Sequence, residues 1–179
     1  MPLAFIALGA NLPSPAGPPE ATLAAVLPFL ASNGSITARS SLYSTVPVGI
    51  PPGLVAQPRF LNAIVALSTD LPPRILLDAL LSIERHFGRD RSDSVPNGPR
   101  TLDLDLLLYG DLVLSEFDLE IPHPRLAKRA FVLIPLAEIS PHAIDPRSGL
   151  TAAELLANLP PAADPGAVVR ITSPLWPAD

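Results

Sequence analysis

Residues 3–8, Leu-Ala-Phe-Ile-Ala-Leu, form an apolar run that ends in Gly9-Ala-Asn-Leu-Pro, the pattern of a buried strand entering a turn-rich loop. Pro18-Pro19 and Asn33-Gly34 bracket an alanine- and leucine-rich stretch and predict a helix over residues 20–31. Pro28 lies inside it, removes a backbone donor, and is expected to kink the helix or end it near Leu27. Residues 36–46 and 59–67 carry the β-branched and aromatic side chains of strands. The connection between them, residues 47–58, is a long loop holding four prolines, and loops of that length in a compact fold tend to be functional. After Pro72-Pro73, the residues Ile75, Leu76, Ala79, Leu80 and Ile83 recur at helical spacing until Gly88 supplies a stop.

Residues 89–99 are almost devoid of apolar side chains and predict a second loop, one that carries arginines. Residues 101–109, Thr-Leu-Asp-Leu-Asp-Leu-Leu-Leu-Tyr, alternate as a strand should, and Gly110-Asp111 reads as a tight turn. A short strand with an acidic solvent face is expected over residues 116–121, a partly helical segment over 125–137, and a helix over 151–158 opened by Thr151 with Glu154 three residues on. This order predicts an α+β sandwich of the split β-α-β type rather than a doubly wound sheet. One domain over residues 1–179 is expected, with its core at about 3–137 and a proline-rich C-terminal extension.

Composition narrows the chemistry. No cysteine is present, which excludes disulfides, thiolate zinc sites and cysteine nucleophiles. The apolar N-terminal run has no basic residue ahead of it, so a strand is preferred over a signal peptide, and no apolar stretch approaches the length that spans a bilayer. The 24 prolines, roughly 13% of the chain against a usual share of about 5%, imply stiff irregular connections. A net charge of −5 argues against a general nucleic-acid coat, yet seven of the twelve basic residues fall between Arg85 and Arg129. Six of those seven are arginines, whose planar fork suits phosphate or carboxylate, so a small anionic ligand is expected.

The alternation in residues 101–109 places Asp103 and Asp105 on one strand face and Leu102, Leu104 and Leu106 on the other. Two adjacent carboxylates repel unless a cation lies between them, and a hard divalent ion takes such an oxygen site together with phosphate and water. The bland alternative is a solvated strand face, but Arg89, Arg91 and Arg100 stand just upstream, as a metal-nucleotide site requires. Neither a Walker loop nor a Gly-x-Gly-x-x-Gly motif can be drawn, so any nucleotide must be held by arginines and metal. His123, between two prolines, is either a surface histidine or part of the arginine set; Phe60 and Phe131 are core residues or the two sides of a planar ligand whose edge Asn62 reads.

Gly9-Ala-Asn-Leu, Ser44-Thr-Val-Pro-Val-Gly49, Gln57-Pro-Arg-Phe-Leu-Asn62, Glu84 with Gly88-Arg89, Gly98-Pro-Arg-Thr-Leu-Asp-Leu-Asp105 and Pro122-His123 with Arg129-Ala-Phe131 together resemble the 6-hydroxymethyl-7,8-dihydropterin pyrophosphokinases of folate synthesis, in unbroken order over about residues 3–137. The resemblance implies a ferredoxin-like α+β fold, mainly antiparallel, and transfer of pyrophosphate from ATP to the pterin hydroxymethyl oxygen with release of AMP. It implies two Mg²⁺ ions at Asp103 and Asp105, catalytic Arg89, Arg91 and Arg100, and ATP contacts from Glu84, Arg89, Arg100, Leu106, His123 and Arg129. Thr45, Val48, Phe60, Asn62 and Phe131 are expected at the pterin, with the loops at 47–58 and 89–99 closing over both substrates. The expected partners are ATP and the pterin, with neither nucleic acid nor membrane, and the expected state is a cytoplasmic monomer.

Three departures from the family pattern stand out. Asn97 occupies a position where the family often has a tryptophan, which predicts looser closure; Asp118 and Glu120 are acidic where the family offers basic or hydroxyl groups to ATP; and the tail beyond Pro141, with Trp176, carries no functional signal. A non-catalytic pterin or nucleotide binder and a metal-dependent phosphoesterase are the competing expectations.

Overall fold

The computed structural model describes residues 1–49, 57–89, 97–161 and 166–176. Strand β1 (Leu3–Ala10) leads through helix α1 (Pro19–Ala31) to β2 (Ser35–Arg39) and β3 (Leu42–Thr45), followed by β4 (Phe60–Ser68), helix α2 (Pro73–His86) and β5 (Asp103–Tyr109). A small hairpin, β6 (Leu114–Ser115) and β7 (Glu120–Ile121), precedes helices α3 (Ala130–Ile139) and α4 (Ala152–Ala157) and a last strand β8 (Val168–Ile171). The main sheet runs β5-β1-β4-β3-β8, antiparallel throughout, with β2 also paired to β4. The expected α+β architecture is therefore present.

The alternation of side chains divides the core into two layers. On one face, Ile6, Leu8, Val65, Leu67, Leu104 and Leu106 pack against α1 and α2 through Leu23, Leu30, Leu76 and Leu80. On the other, Phe5, Ile64, Ala66 and Leu108 pack under α3 and α4. At about 25 cal/mol per Å² of apolar surface removed from water, these two layers supply most of the driving force for the fold.

Four local expectations change. Helix α1 continues through Pro28 to Ala31, because Pro28 lies on the exposed side while Val26 and Leu30 are buried on the other. Burial of that apolar side outweighs one lost backbone bond. The single strand expected over residues 36–46 is two, broken at Ser40-Ser41, where the Ser40 hydroxyl accepts from the Ile64 amide at 2.9 Å and takes over a ladder contact. The strand expected at 116–121 is a hairpin, closed by the Glu116 amide donating to the Leu119 carbonyl at 2.9 Å. The tail is not outside the fold: β8 pairs with β3, and Trp176 is buried with its indole N–H donating to the Ser40 carbonyl at 2.8 Å. The helix expected over 151–158 forms as α4 with the anticipated capping box between Thr151 and Glu154.

Candidate active site

Asp103, Gly9 and Asn62 lie side by side across β5, β1 and β4, and Asp105 lies beside Ala7 two pairs further along, on the same face. They share the face that α3 and α4 cover elsewhere, but α3 begins only at Ala130 and leaves this end of the sheet open. The result is a cavity of about 960 Å³, floored by these residues and walled by Thr45, Phe60, Arg129 and Phe131. Gly9 is required by proximity: a Cβ there would stand 2.9 Å from Asn62 Oδ1.

The carboxylates are fixed from behind. Buried Glu84, near the end of α2, accepts a hydrogen bond from the Leu104 amide at 2.8 Å, and Arg89 just beyond that helix donates to the Leu102 carbonyl at 2.9 Å. The α2 terminus thus holds the start of β5 in register. Arg89 Nη2 also lies 3.1 Å from Asp103 Oδ1, and Arg100 Nη1 lies 2.7 Å from Asp103 Oδ2, so one carboxylate is gripped by two guanidinium groups. Asp105 has only His123 Nε2 within ion-pair range among the described residues, at 3.9 Å. Burial, with the Asp103 charge second, pushes the Asp105 carboxyl above its usual range.

His123 is oriented by its neighbours. Its Nδ1 accepts from the Arg125 amide at 3.1 Å, so the neutral ring carries its proton on Nε2, the atom that faces Asp105. Burial lowers its pKa and keeps the ring neutral near pH 7, against the opposing pull of Asp105. Burial and the nearby Arg125 also lower the Arg129 guanidinium, which still stays charged.

At the other end, Asn62 Nδ2 donates to buried Thr45 Oγ1 at 2.7 Å. The Arg100 guanidinium lies 5.3 Å above the Phe60 ring and that of Arg129 lies 5.3 Å above Phe131, so each aromatic wall carries a cation. Val48 is exposed on the cavity rim. Arg89 Nε and Thr101 Oγ1 are buried without a hydrogen-bond partner among the described residues.

Of the residues singled out in the sequence, Thr45, Val48, Phe60, Asn62, Arg89, Arg100, Asp103, Asp105, Arg129 and Phe131 border this one cavity. His123 stands behind Asp105, and Glu84 is a buried support rather than a wall. Leu106 does not border this cavity: its side chain lies in the core layer under α1 and α2, on the strand face opposite the carboxylates. Asp118 and Glu120 are also away from the cavity, since Asp118 pairs with Arg74 at 2.6 Å and Glu120 with Arg147 at 2.8 Å. Arg91 and most of both expected closing loops lie outside the described residues. Asn97 adopts a left-handed backbone (φ 58°), donates to the Gly49 carbonyl at 3.1 Å and accepts from Gln57 Nε2 at 2.9 Å, so it joins the bases of the two loops.

Sequence reasoning missed Asn11, Arg125 and Lys128. Buried Asn11 accepts from the Arg100 amide at 2.8 Å and donates to Gln57 and to the Pro58 carbonyl, each at 3.1 Å, which sets the start of the arginine segment. Its only sequence signal was its place in Gly-Ala-Asn-Leu. Arg125 and Lys128 border the cavity and were visible in the sequence as part of the basic run.

Residues 5–141 match the family model described as 7,8-dihydro-6-hydroxymethylpterin-pyrophosphokinase (HPPK). A 2-amino-4-hydroxy-6-hydroxymethyldihydropteridine pyrophosphokinase of Synechocystis sp. is 43% identical over 155 residues, covering 86% of this chain and 74% of that protein. One of Methylorubrum extorquens is 41% identical over 173 residues, covering 96% and 99%. The fold is also similar to the crystal structure of Plasmodium falciparum HPPK-DHPS, with a TM-score of 0.65, 17% identity, and coverage of 87% of this chain and 44% of that one. The chain belongs to the 7,8-dihydro-6-hydroxymethylpterin-pyrophosphokinase family.

Proposed function

We propose that this cavity is where the chain carries out the family reaction, transfer of pyrophosphate from ATP to 6-hydroxymethyl-7,8-dihydropterin with release of AMP, a step of folate biosynthesis. The observation that carries the assignment of roles is the joining of two unlike halves in one space. A carboxylate pair with arginines stands at the β5 end, and an aromatic pair with an amide stands at the β3 end. An anionic chain fits the first and a flat heterocycle with polar edges fits the second.

In this reading Phe60 and Phe131 hold the two faces of the pterin, Asn62 hydrogen-bonds its edge, and Thr45 keeps the Asn62 amide turned correctly. Arg89, Arg100 and Arg129 neutralise triphosphate oxygens, with Arg91, Arg125 and Lys128 adding positive charge, while neutral His123, behind Asp105, turns its Nε2 proton toward that carboxylate. The pterin hydroxymethyl oxygen bonds to the β-phosphorus and releases its proton to solvent, while the bond from the β-phosphorus to the α,β-bridging oxygen breaks and AMP leaves with that electron pair. No protein nucleophile is needed, so the residues act by positioning and by charge.

The donor set fits magnesium: two carboxylates on one strand face, oxygen-only, one of them raised in pKa by burial and by the charge of the other. Asp103 and Asp105 would hold Mg²⁺, which would supply positive charge to offset that of the triphosphate. No group of three or more metal-ligating side chains occurs among the described residues, which suits an ion completed by phosphate and water. Among the described residues no helix is long and apolar enough to cross a membrane.

The test is to mix the protein with ATP, Mg²⁺ and 6-hydroxymethyl-7,8-dihydropterin. AMP that appears only when the pterin is present is the expected result. Folded protein that yields no AMP, or that yields inorganic phosphate without pterin, overturns the assignment.

A further inference from the structure

The last strand and its contacts are not explained by the reaction. β8 pairs with β3 from Leu42↔Ile171 to Thr45↔Val168, and the Val46 amide donates to the Ala167 carbonyl at 2.9 Å. It therefore flanks the residues that border the pterin end of the cavity. Without it β3 would be a sheet edge, and edge strands fray most easily at their ends. Arg59, the residue before Phe60, closes this arrangement. Its Nε donates to Ser44 Oγ at 2.8 Å, and its Nη2 donates to the Ser44 carbonyl at 2.9 Å and to the Gly166 carbonyl at 2.8 Å. One guanidinium thus ties the start of β4, the end of β3 and the approach to β8.

The same strand reaches the opposite wall. Arg170 Nη2 lies 3.4 Å from Glu138 Oε1 near the end of α3, the helix whose first turn carries Phe131. Glu138 also accepts from the Ser41 amide at 3.0 Å, the Ser41 hydroxyl at 2.7 Å and the Tyr43 hydroxyl at 3.0 Å. β3 and α3 are thereby held in one relation, and with them Thr45 and Phe131.

We propose that Arg59 is a positioning residue that latches the C-terminal strand onto β3 and so sets the width of the pterin subsite. This inference rests on the functional reading above. The latch lies at the sheet edge opposite β5, so it acts mainly on the pterin and reaches the ATP end only through Arg100 above Phe60. A geometry error of about 1 Å in a substrate-holding wall costs up to about 100-fold, and a loosened but intact strand should cost less.

The experiment measures binding directly, by pterin fluorescence in the presence of Mg²⁺ and a non-hydrolysable ATP analogue, and by calorimetry for the analogue alone, in the full chain. Arg59→Met keeps the aliphatic stem and removes all three hydrogen bonds. It is expected to weaken pterin binding about tenfold and leave analogue binding within about twofold. Arg59→Lys, able to reach only some of the acceptors, should recover part of the loss, and Ser44→Ala, which removes one acceptor, should lose less than Arg59→Met. Arg59 is exposed, so the variants are expected to fold. Unchanged pterin binding in Arg59→Met overturns the inference, as does an equal loss for both ligands, which would mean general loosening. A wild-type chain that binds no pterin overturns the functional reading itself, a result separable from the first.

Discussion

The two carboxylates should respond to neutralisation with opposite changes in stability and the same change in activity. Asp103 is held at 2.7 and 3.1 Å by two arginines, and the three side chains are only 10 to 21% exposed. Removing one partner of a buried pair costs about 3–5 kcal/mol, and partial exposure favours the lower end. Asp103→Asn, which leaves two guanidinium groups facing each other, should therefore cost about 3 kcal/mol, or about 6–12 °C in Tm for a chain of this size. Asp105 is the reverse case, because its carboxyl is pushed up by burial and by Asp103 and lacks a close cation. A carboxyl with a raised folded pKa contributes fully to stability below about pH 3.9 and loses that contribution as pH rises through the raised value. Asp105→Asn should then match or exceed the wild-type Tm at pH 7, by a margin that widens upward from about pH 4. Both variants should lower pterin-dependent AMP release by at least about 100-fold, the range for losing one electrostatic stabiliser. The assays are thermal unfolding with a chelator across pH and steady-state AMP release with Mg²⁺. Equal Tm losses in the two variants, or a greater loss in Asp105→Asn, would refute the electrostatic reasoning.

Two further substitutions probe the surroundings. Gly9→Ala places a methyl group against Asn62 Oδ1, displaces the amide and breaks its 2.7 Å bond to Thr45, so KM for the pterin should rise about tenfold with little change in Tm; an unchanged KM means Asn62 does not read the pterin. Burial and the Glu138 carboxylate push the Tyr43 hydroxyl up to about 12, so its contribution to stability is whole below about pH 10 and is lost between about pH 10 and 12. Tyr43→Phe should cost about 1 kcal/mol at neutral pH and flatten that alkaline loss in chemical denaturation, and an unaltered alkaline profile would count against the Glu138 contact.

What the sequence displayed and what it hid follow from the range of the interactions involved. Period-2 alternation in residues 101–109, helical spacing from Ile75 to Ile83 and the Thr151 capping box are local, and the corresponding elements form as expected. The break at Ser40-Ser41 depends on a hydroxyl reaching β4, the survival of α1 past Pro28 depends on which side packs on the sheet, and β8 depends on an edge offered by residues more than 120 positions earlier. None of these is encoded within a window of neighbours. The acidic hairpin was illegible for the same reason: the partners of Asp118 and Glu120 are Arg74 and Arg147, both distant in sequence.

Leu107 and Leu108 show the same limit at finer scale and explain why one strand serves both as site floor and as core. β5 pairs with β1 in regular register from Gly9↔Asp103 to Ile6↔Leu106, then shifts so that Phe5 meets Leu108 and Leu107 is the extra residue. A bulge of this kind turns two successive side chains to one face. Leu107 and Leu108 therefore both point toward α3 and α4, continuing the row that Asp103 and Asp105 began. The polar half of that row lies beyond the start of α3, where a cavity remains, and the apolar half lies beneath it, where core is needed. Had alternation continued unbroken, Leu108 would have faced α1 and α2 instead. The bulge thus lets a single seven-residue strand anchor α3 at one end and, in the reading proposed here, hold the metal at the other.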